Sequence, residues 1–185
     1  IPRKIFERKL LAQGYDCVIG VDEVGMGCLA GPVVICAVAI GPDFYRVRHP
    51  HLSGLRDSKL LQSHHRERFA RELAQQAGLT WSVKWCSPET IDRLNIYGAS
   101  RLAMRRAINK LSPKSKVQSL KSIVLVDGNK KIRGISHDQR AIVKGDRTVW
   151  AIAAASVLAN VYRDAMMVRY AKRFPDYGFE IHKGY

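Results

Sequence analysis

Residues 17–32 read Cys-Val-Ile-Gly-Val-Asp-Glu-Val-Gly-Met-Gly-Cys-Leu-Ala-Gly-Pro. Apolar Cys17 to Val21 predicts a strand that runs into two adjacent carboxylates, Asp22 and Glu23. Two like charges at a strand end repel and raise each other's pKa, and a bound cation removes that cost. Gly25, Gly27 and Gly31 follow. They allow close backbone approach and point bare N–H groups at a ligand. The leading reading is a carboxylate–metal site beside a backbone recognition loop; the plain alternative is a solvated turn. A dinucleotide fingerprint is excluded on three counts. The two acids stand where a pyrophosphate must approach, Pro32 and Val33 to Ile40 read as a second strand and not a helix, and no acid follows about 20 residues on to hold a ribose.

Working outward, residues 2–13 read as a short amphipathic helix between Pro2 and Gly14. Residues 33–40 are continuously apolar and predict a central strand, and 41–58 a loop. A helix is expected over about 63–76, then a strand over 80–86 with Trp81, Val83 and Trp85 on one face. Ser87-Pro88-Glu89 is a helix start, with Ser as cap and an acid near the positive end. Gly98 marks a break, after which a helix runs to about Leu111. Short strands at 123–126 and 141–143 precede a long helix over about 148–174, whose small residues suit close packing on a sheet. Residues 95–126 hold seven basic residues and no acid. They read either as a solvated face with a polar loop at 112–122, or as a phosphate-facing patch.

With 31 basic and 16 acidic residues among 185, the net charge is +15, which favours a polyanionic partner such as nucleic acid. The hydrophobic share, 46%, is that of a globular chain, read as one domain over 1–185 with about 165–185 as a substrate-contacting appendage. The four cysteines form no C-x-x-C pair, so neither zinc nor a disulfide framework is indicated, and a reducing, cytoplasmic setting is expected. Cys17 and Cys36 read as core thiols. The longest apolar run, 149–159, is too short to span a bilayer, so no membrane partner is expected. A monomer is expected.

Three strands thus end in carboxylates: Asp22 with Glu23, then Asp127, then Asp146. If those strands are parallel neighbours, all four acids converge beyond their carboxyl ends. Four carboxylates are a hard-oxygen set suited to Mg²⁺ or Mn²⁺, and two such ions ~4 Å apart serve in-line phosphodiester displacement. Adjacent strand residues point to opposite faces, so Asp22 and Glu23 share a site only if the strand ends or bends at Glu23.

These motifs resemble the type 2 ribonucleases H, and within them the bacterial ribonuclease HII proteins. The resemblance runs through nearly the whole chain: Gly20-Val21-Asp22-Glu23, Leu29-Ala30-Gly31-Pro32, Asp57-Ser58-Lys59, Val126-Asp127-Gly128-Asn129, Lys144-Gly145-Asp146, Ala153-Ala154-Ala155-Ser156, Arg163-Asp164 and His182-Lys183-Gly184-Tyr185. It implies an α/β fold, a ribonuclease H-like mixed five-stranded sheet flanked by helices. It implies cleavage of the RNA strand of RNA/DNA hybrids, and incision 5′ to single ribonucleotides in duplex DNA, leaving 3′-hydroxyl and 5′-phosphate ends. By position, Asp22, Glu23, Asp127 and Asp146 become the catalytic, metal-binding set for Mg²⁺ or Mn²⁺. Gly25, Met26 and Gly27 become the loop whose backbone reads the ribose 2′-hydroxyl. By the same resemblance Tyr185 matches the tyrosine that packs on the sugar at the RNA–DNA junction, and Lys59 and Lys144 are expected to contact phosphate.

The chain departs from that pattern at Met26 (usually arginine), Leu60 and Asn160 (usually lysines), and in an apparent insertion at 112–122. A hybrid-binding module that has lost catalysis is the alternative. Among the remaining residues, Asp164 reads as an ion pair with Arg163, His64, His65 and His137 as surface, and His182 as able to approach substrate. Trp81 and Trp85 read as core.

Overall fold

The structure is a computed structural model that describes residues 2, 4–56, 58–111 and 121–185. Asp57 and most of the basic segment 112–122 lie outside the described residues. Five strands form one mixed sheet: β1 Cys17–Val24, β2 Val33–Ile40, β3 Leu79–Cys86, β4 Ser122–Asp127 and β5 Asp138–Ile142, in the order β3-β2-β1-β4-β5. β1 pairs antiparallel with β2 and parallel with β4, and β4 pairs parallel with β5. The three strands that carry or precede the acids are therefore parallel neighbours, as expected.

Two helical layers cover the sheet. α4 (Pro88–Leu111) packs on one face, over Cys17, Ile19, Val21, Val33 and Ile35. On the other lie α1 (Ile5–Ala12), α3 (Ser63–Gln75) and the long α6 (Trp150–Arg173), over Val18, Val34, Val38 and Ile40. α6 crosses β1 at Gly20, where a β-carbon would collide with the Ala151 backbone. That contact, with four alanines from Ala151 to Ala155, brings the helix against the sheet and carries residue 156 alongside Asp22. By length and composition α6 could cross a membrane, but two-thirds of its apolar window is buried in this core. α6 continues through Arg173, with Met166, Met167 and Ala171 buried, so of residues 165–185 only those after Arg173 leave the core helix. They form a short turn and α7 (Phe179–His182).

Several local expectations are corrected. The loop 41–58 contains α2 (Pro42–Arg46), which buries Phe44 and Tyr45 against the core. The break in α4 falls at Asn95 (φ 57°), not Gly98. The positive φ, with extended ψ, breaks the helix there, and the Asn95 side chain accepts the Gly98 N–H at 3.0 Å, capping the second segment. Trp81 and Trp85 are 38% and 41% exposed, because β3 is the sheet edge and α3 and α6 cover it incompletely. His137 is half-buried beside β5. Asp164 pairs with Arg66 from α3 at 3.2 Å, not with its neighbour. Cys17 and Cys36 are buried as expected.

Candidate active site and metal centre

β4 stops pairing with β1 at Val21↔Val126, whereas β2 follows β1 to Val24↔Val34. The last three residues of β1 thus flank a gap beyond the end of β4. Asp22 points to the α6 side and Glu23 to the α4 side, and both reach the gap at its rim. β1 therefore neither ends nor bends at Glu23, contrary to the alternation argument: the missing neighbour strand opens both faces. Asp127 ends β4. Asp146 is not at a strand end. β5 stops at Ile142, and after the left-handed Lys144 (φ 55°) Asp146 sits in α5 (Gly145–Thr148). Gly145 N–H donates to Asp127 Oδ1 at 2.6 Å, joining this turn to the end of β4.

The four acids line one cavity of about 250 Å³, together with Gly25, Met26, Gly27, Ser58, Lys59, Ser156, Asn160 and Tyr185. Gly25 (φ +100°) sits where a β-carbon would meet the Pro32 carbonyl at 2.6 Å, which folds the loop back on itself. Lys144 is exposed and does not line the cavity. His182 accepts the Gly184 N–H at 3.0 Å and bonds the Tyr177 carbonyl, so it shapes the terminal turn and does not face the cavity.

Electrostatics mark Asp22 and Glu23 as strained without a cation. Burial, then Glu23 and Asp127, hold the Asp22 carboxyl well above the ordinary range, against a hydrogen bond from Ser156. Burial, then Asp127, push Glu23 up to about 7, with Arg101 and Lys59 opposing. Glu23 Oε2 is buried without a hydrogen-bond partner. Among the described residues, no three acidic, histidine or cysteine side chains are already closed around one ion position. The donor set nevertheless fits a hard divalent cation: oxygen ligands only, an orphaned buried carboxylate oxygen, and mutual repulsion that a positive charge relieves.

Ser156 and Arg163 stand in motifs shared with the family and Asn160 departs from one, but residue type alone assigns none of the three a role. Their signal was faint: one hydroxyl in an alanine run, and one arginine in a helix rich in basic residues.

The sheet order and the acidic cleft define an enzyme of the ribonuclease H fold, shared with ribonuclease H2 from Pyrococcus horikoshii (TM-score 0.70, 25% identity, 91% of this chain and 80% of that one). Bst-RNase HIII, solved with Mn²⁺, shares the fold at TM-score 0.66 and 21% identity, over 86% of this chain and 56% of that one. The particular family is narrower. The ribonuclease HII family model matches residues 19–185. The ribonuclease HII of Vibrio vulnificus is 44% identical over 173 residues, 94% of this chain and 77% of that protein. That of Chlorobium phaeobacteroides is 44% identical over 168 residues, 91% and 78% of the two. The Archaeoglobus fulgidus ribonuclease HII, solved in complex with PCNA, superposes at TM-score 0.67 and 27% identity over 91% of this chain and 81% of that one. The chain belongs to the ribonuclease HII family and is a type 2 ribonuclease H, an endonuclease.

Proposed function

We propose that this protein cleaves the RNA strand of RNA/DNA hybrids and incises 5′ to single ribonucleotides embedded in duplex DNA, leaving 3′-hydroxyl and 5′-phosphate ends. One observation carries the reading: Asp22, Glu23, Asp127 and Asp146 share a cavity with the Gly25–Gly27 backbone, Lys59 and Tyr185. The four carboxylates would hold two divalent cations, Mg²⁺ or Mn²⁺. When bound, such a pair neutralises charge at the scissile phosphate and acidifies the attacking water.

The chain's own residues do the rest. The backbone from Gly25 to Gly27 lines the cavity where it can meet a 2′-hydroxyl, the group that separates RNA from DNA. Tyr185, 64% exposed on the cavity rim, offers its ring to the junction sugar. Lys59 lines the cavity, and Lys144, exposed two residues before Asp146, adds positive charge, so that both can offset phosphate charge. The net charge of +15 draws the polyanion in.

The test uses two labelled substrates with Mg²⁺: DNA duplex carrying one ribonucleotide, and a continuous RNA/DNA hybrid. Cutting of both, with incision 5′ to the lone ribonucleotide, is expected. Cutting of the hybrid alone would mean that junction reading is lost with Met26. Cutting of neither, with Mg²⁺ or Mn²⁺, would leave a hybrid-binding module.

A further inference from the structure

A chain of hydrogen bonds runs from the mouth of the cavity to Asp22. Asn160 Nδ2 donates to Ser58 Oγ at 2.8 Å and Ser58 Oγ meets Ser156 Oγ at 2.9 Å; Ser156 lines the same cavity as Asp22, and its hydroxyl opposes the rise in that carboxyl's pKa. Ser58, Ser156 and Asp22 are 1%, 2% and 6% exposed, so no solvent competes along the chain. Asn160 stands at its outer end, lining both the acidic cavity and an adjoining groove of about 780 Å³.

The direction of every proton follows from chemistry. With a cation bound, Asp22 is ionised and its carboxylate only accepts, so the single Ser156 hydroxyl hydrogen goes to Asp22. Ser156 Oγ must then accept from Ser58, and Ser58 Oγ must accept from Asn160. The Asn160 amide is fixed independently: Nδ2 also donates to the Ser156 carbonyl at 2.9 Å, which can only accept. Both Nδ2 hydrogens are used, and every dipole points its positive end at Asp22. The other side of that carboxylate is held too, since Oδ1 accepts the Glu23 N–H at 2.9 Å.

We infer that Asn160, Ser58 and Ser156 form a one-way donor relay that fixes the orientation of the Asp22 carboxylate for its cation. These are positioning residues; none touches substrate through this chain. The inference rests on the proposed metal site.

The test reads metal directly. Mn²⁺ binding to the full chain, stripped of metal, is followed by electron paramagnetic resonance of the free ion, without and with an uncleavable hybrid. Outer partners of metal ligands are worth about 10- to 100-fold in affinity. Ser156→Ala should weaken Mn²⁺ about tenfold, at the low end of that range. Asn160→Leu, of similar volume, should weaken it by a smaller factor. The double variant should be no weaker than Ser156→Ala, because both cut one chain. A purely structural role lowers the melting temperature of the chelated protein and leaves Mn²⁺ affinity alone, and unchanged affinity in the folded variants overturns the relay. If Ser156→Ala does not fold, Asn160→Leu decides by the same criterion. Cleavage with unaltered variant affinity sinks the relay only. A wild type that binds Mn²⁺ under neither condition sinks the metal site and the relay together.

Discussion

Arg163 and Lys183 are joined by a hydrogen bond of 2.8 Å, the arginine Nη1 donating to the lysine carbonyl. The same guanidinium donates from Nε to Pro32 O and from Nη2 to Ala30 O, each at 3.0 Å. It is 1% exposed and lies 5.8 Å from the Tyr185 ring centroid. Leu29 and Ala30 N–H groups both donate to the Gly184 carbonyl. One buried side chain on α6 therefore locks the glycine-rich loop to the terminal turn that carries Tyr185. The two parts proposed to read the ribonucleotide are held as one body.

Removing that lock should separate substrate reading from metal binding. Arg163→Met roughly keeps the volume but leaves three carbonyls without their donor; that of Pro32 is buried, at a cost of about 1–3 kcal/mol, and those of Ala30 and Lys183 are partly buried and cost less. A small displacement of loop against tyrosine can cost about 10²-fold in rate. We expect a clear fall in melting temperature and a fall in kcat/KM of that order on the single-ribonucleotide duplex. Mn²⁺ affinity should hold, because Arg163 does not contact the acids. Wild-type kinetics in a folded variant would remove Arg163 from substrate reading.

The carboxylates give the most direct prediction. Asp22→Asn and Asp127→Asn keep shape and lose charge, so cleavage should be abolished while binding to hybrid in a gel-shift assay persists. Normal cutting by either variant would show that the metal site lies elsewhere.

Glu23 predicts a pH dependence of defined sign. Its folded pKa is about 7, against an ordinary 4.5. The folded chain thus binds more protons than the unfolded one between those values. Stability from this group is full below 4.5 and is lost as pH rises through about 7. Asp22 and Glu7, also raised chiefly by burial, act in the same direction. The melting temperature of the chelated protein should therefore fall from pH 5 to pH 7, and Glu23→Gln should flatten part of the slope. Mg²⁺ should oppose the fall, since binding displaces the proton. A chelated melting curve independent of pH would contradict the burial of these acids.

Much of this fold could be read from sequence because its strands are short apolar runs with unambiguous ends: β2 was placed to the residue. The convergence of acids was legible too, since each follows an apolar run. What escaped reading depends on contacts between distant segments. Glu7 is fully buried and accepts the Ala151 N–H at 3.0 Å, so α6 is capped by a carboxylate 144 residues away. No local pattern announces that. Trp81 and Trp85 look like core residues until strand order puts β3 at the edge. Asp146 belongs to α5 because Lys144 takes a left-handed turn that its residue type does not advertise. Arg163 and Asp164 are neighbours with different partners, the terminal turn at Lys183 and Arg66 of α3, which only the packed helix reveals.

Thiol chemistry offers an independent check on the loop. Of four cysteines, Cys17, Cys36 and Cys86 are buried, and Cys28 alone is partly exposed. Cys28 lies close enough to Tyr185 to help raise the pKa of its hydroxyl, after burial. A thiol-specific reagent should titrate one group in the native protein and four in denaturant. Alkylation should slow cleavage, and prior binding of a ribonucleotide duplex should protect. Fast reaction of two or more native thiols would mean that the sheet core is not packed as described.

Met26 tests how much of recognition resides in the backbone. Its side chain is half-buried, packing on the α4 side of the sheet and lining both the acidic cavity and a second recess with Tyr97, Arg101 and Lys130. A backbone reader at Gly25 to Gly27 needs no particular side chain at the middle position, so the wild type should already incise at single ribonucleotides. Met26→Arg adds one cation beside bound phosphate, at the cost of some packing on α4. Each added phosphate contact steepens the dependence of log affinity on log salt by about 1. Met26→Arg should therefore bind ribonucleotide duplex more tightly at low salt, lose that gain as salt rises, and keep the same cleavage position. A slope equal to wild type would show that residue 26 points away from the phosphates. A shifted cleavage position would show that the side chain, and not the backbone, sets the register.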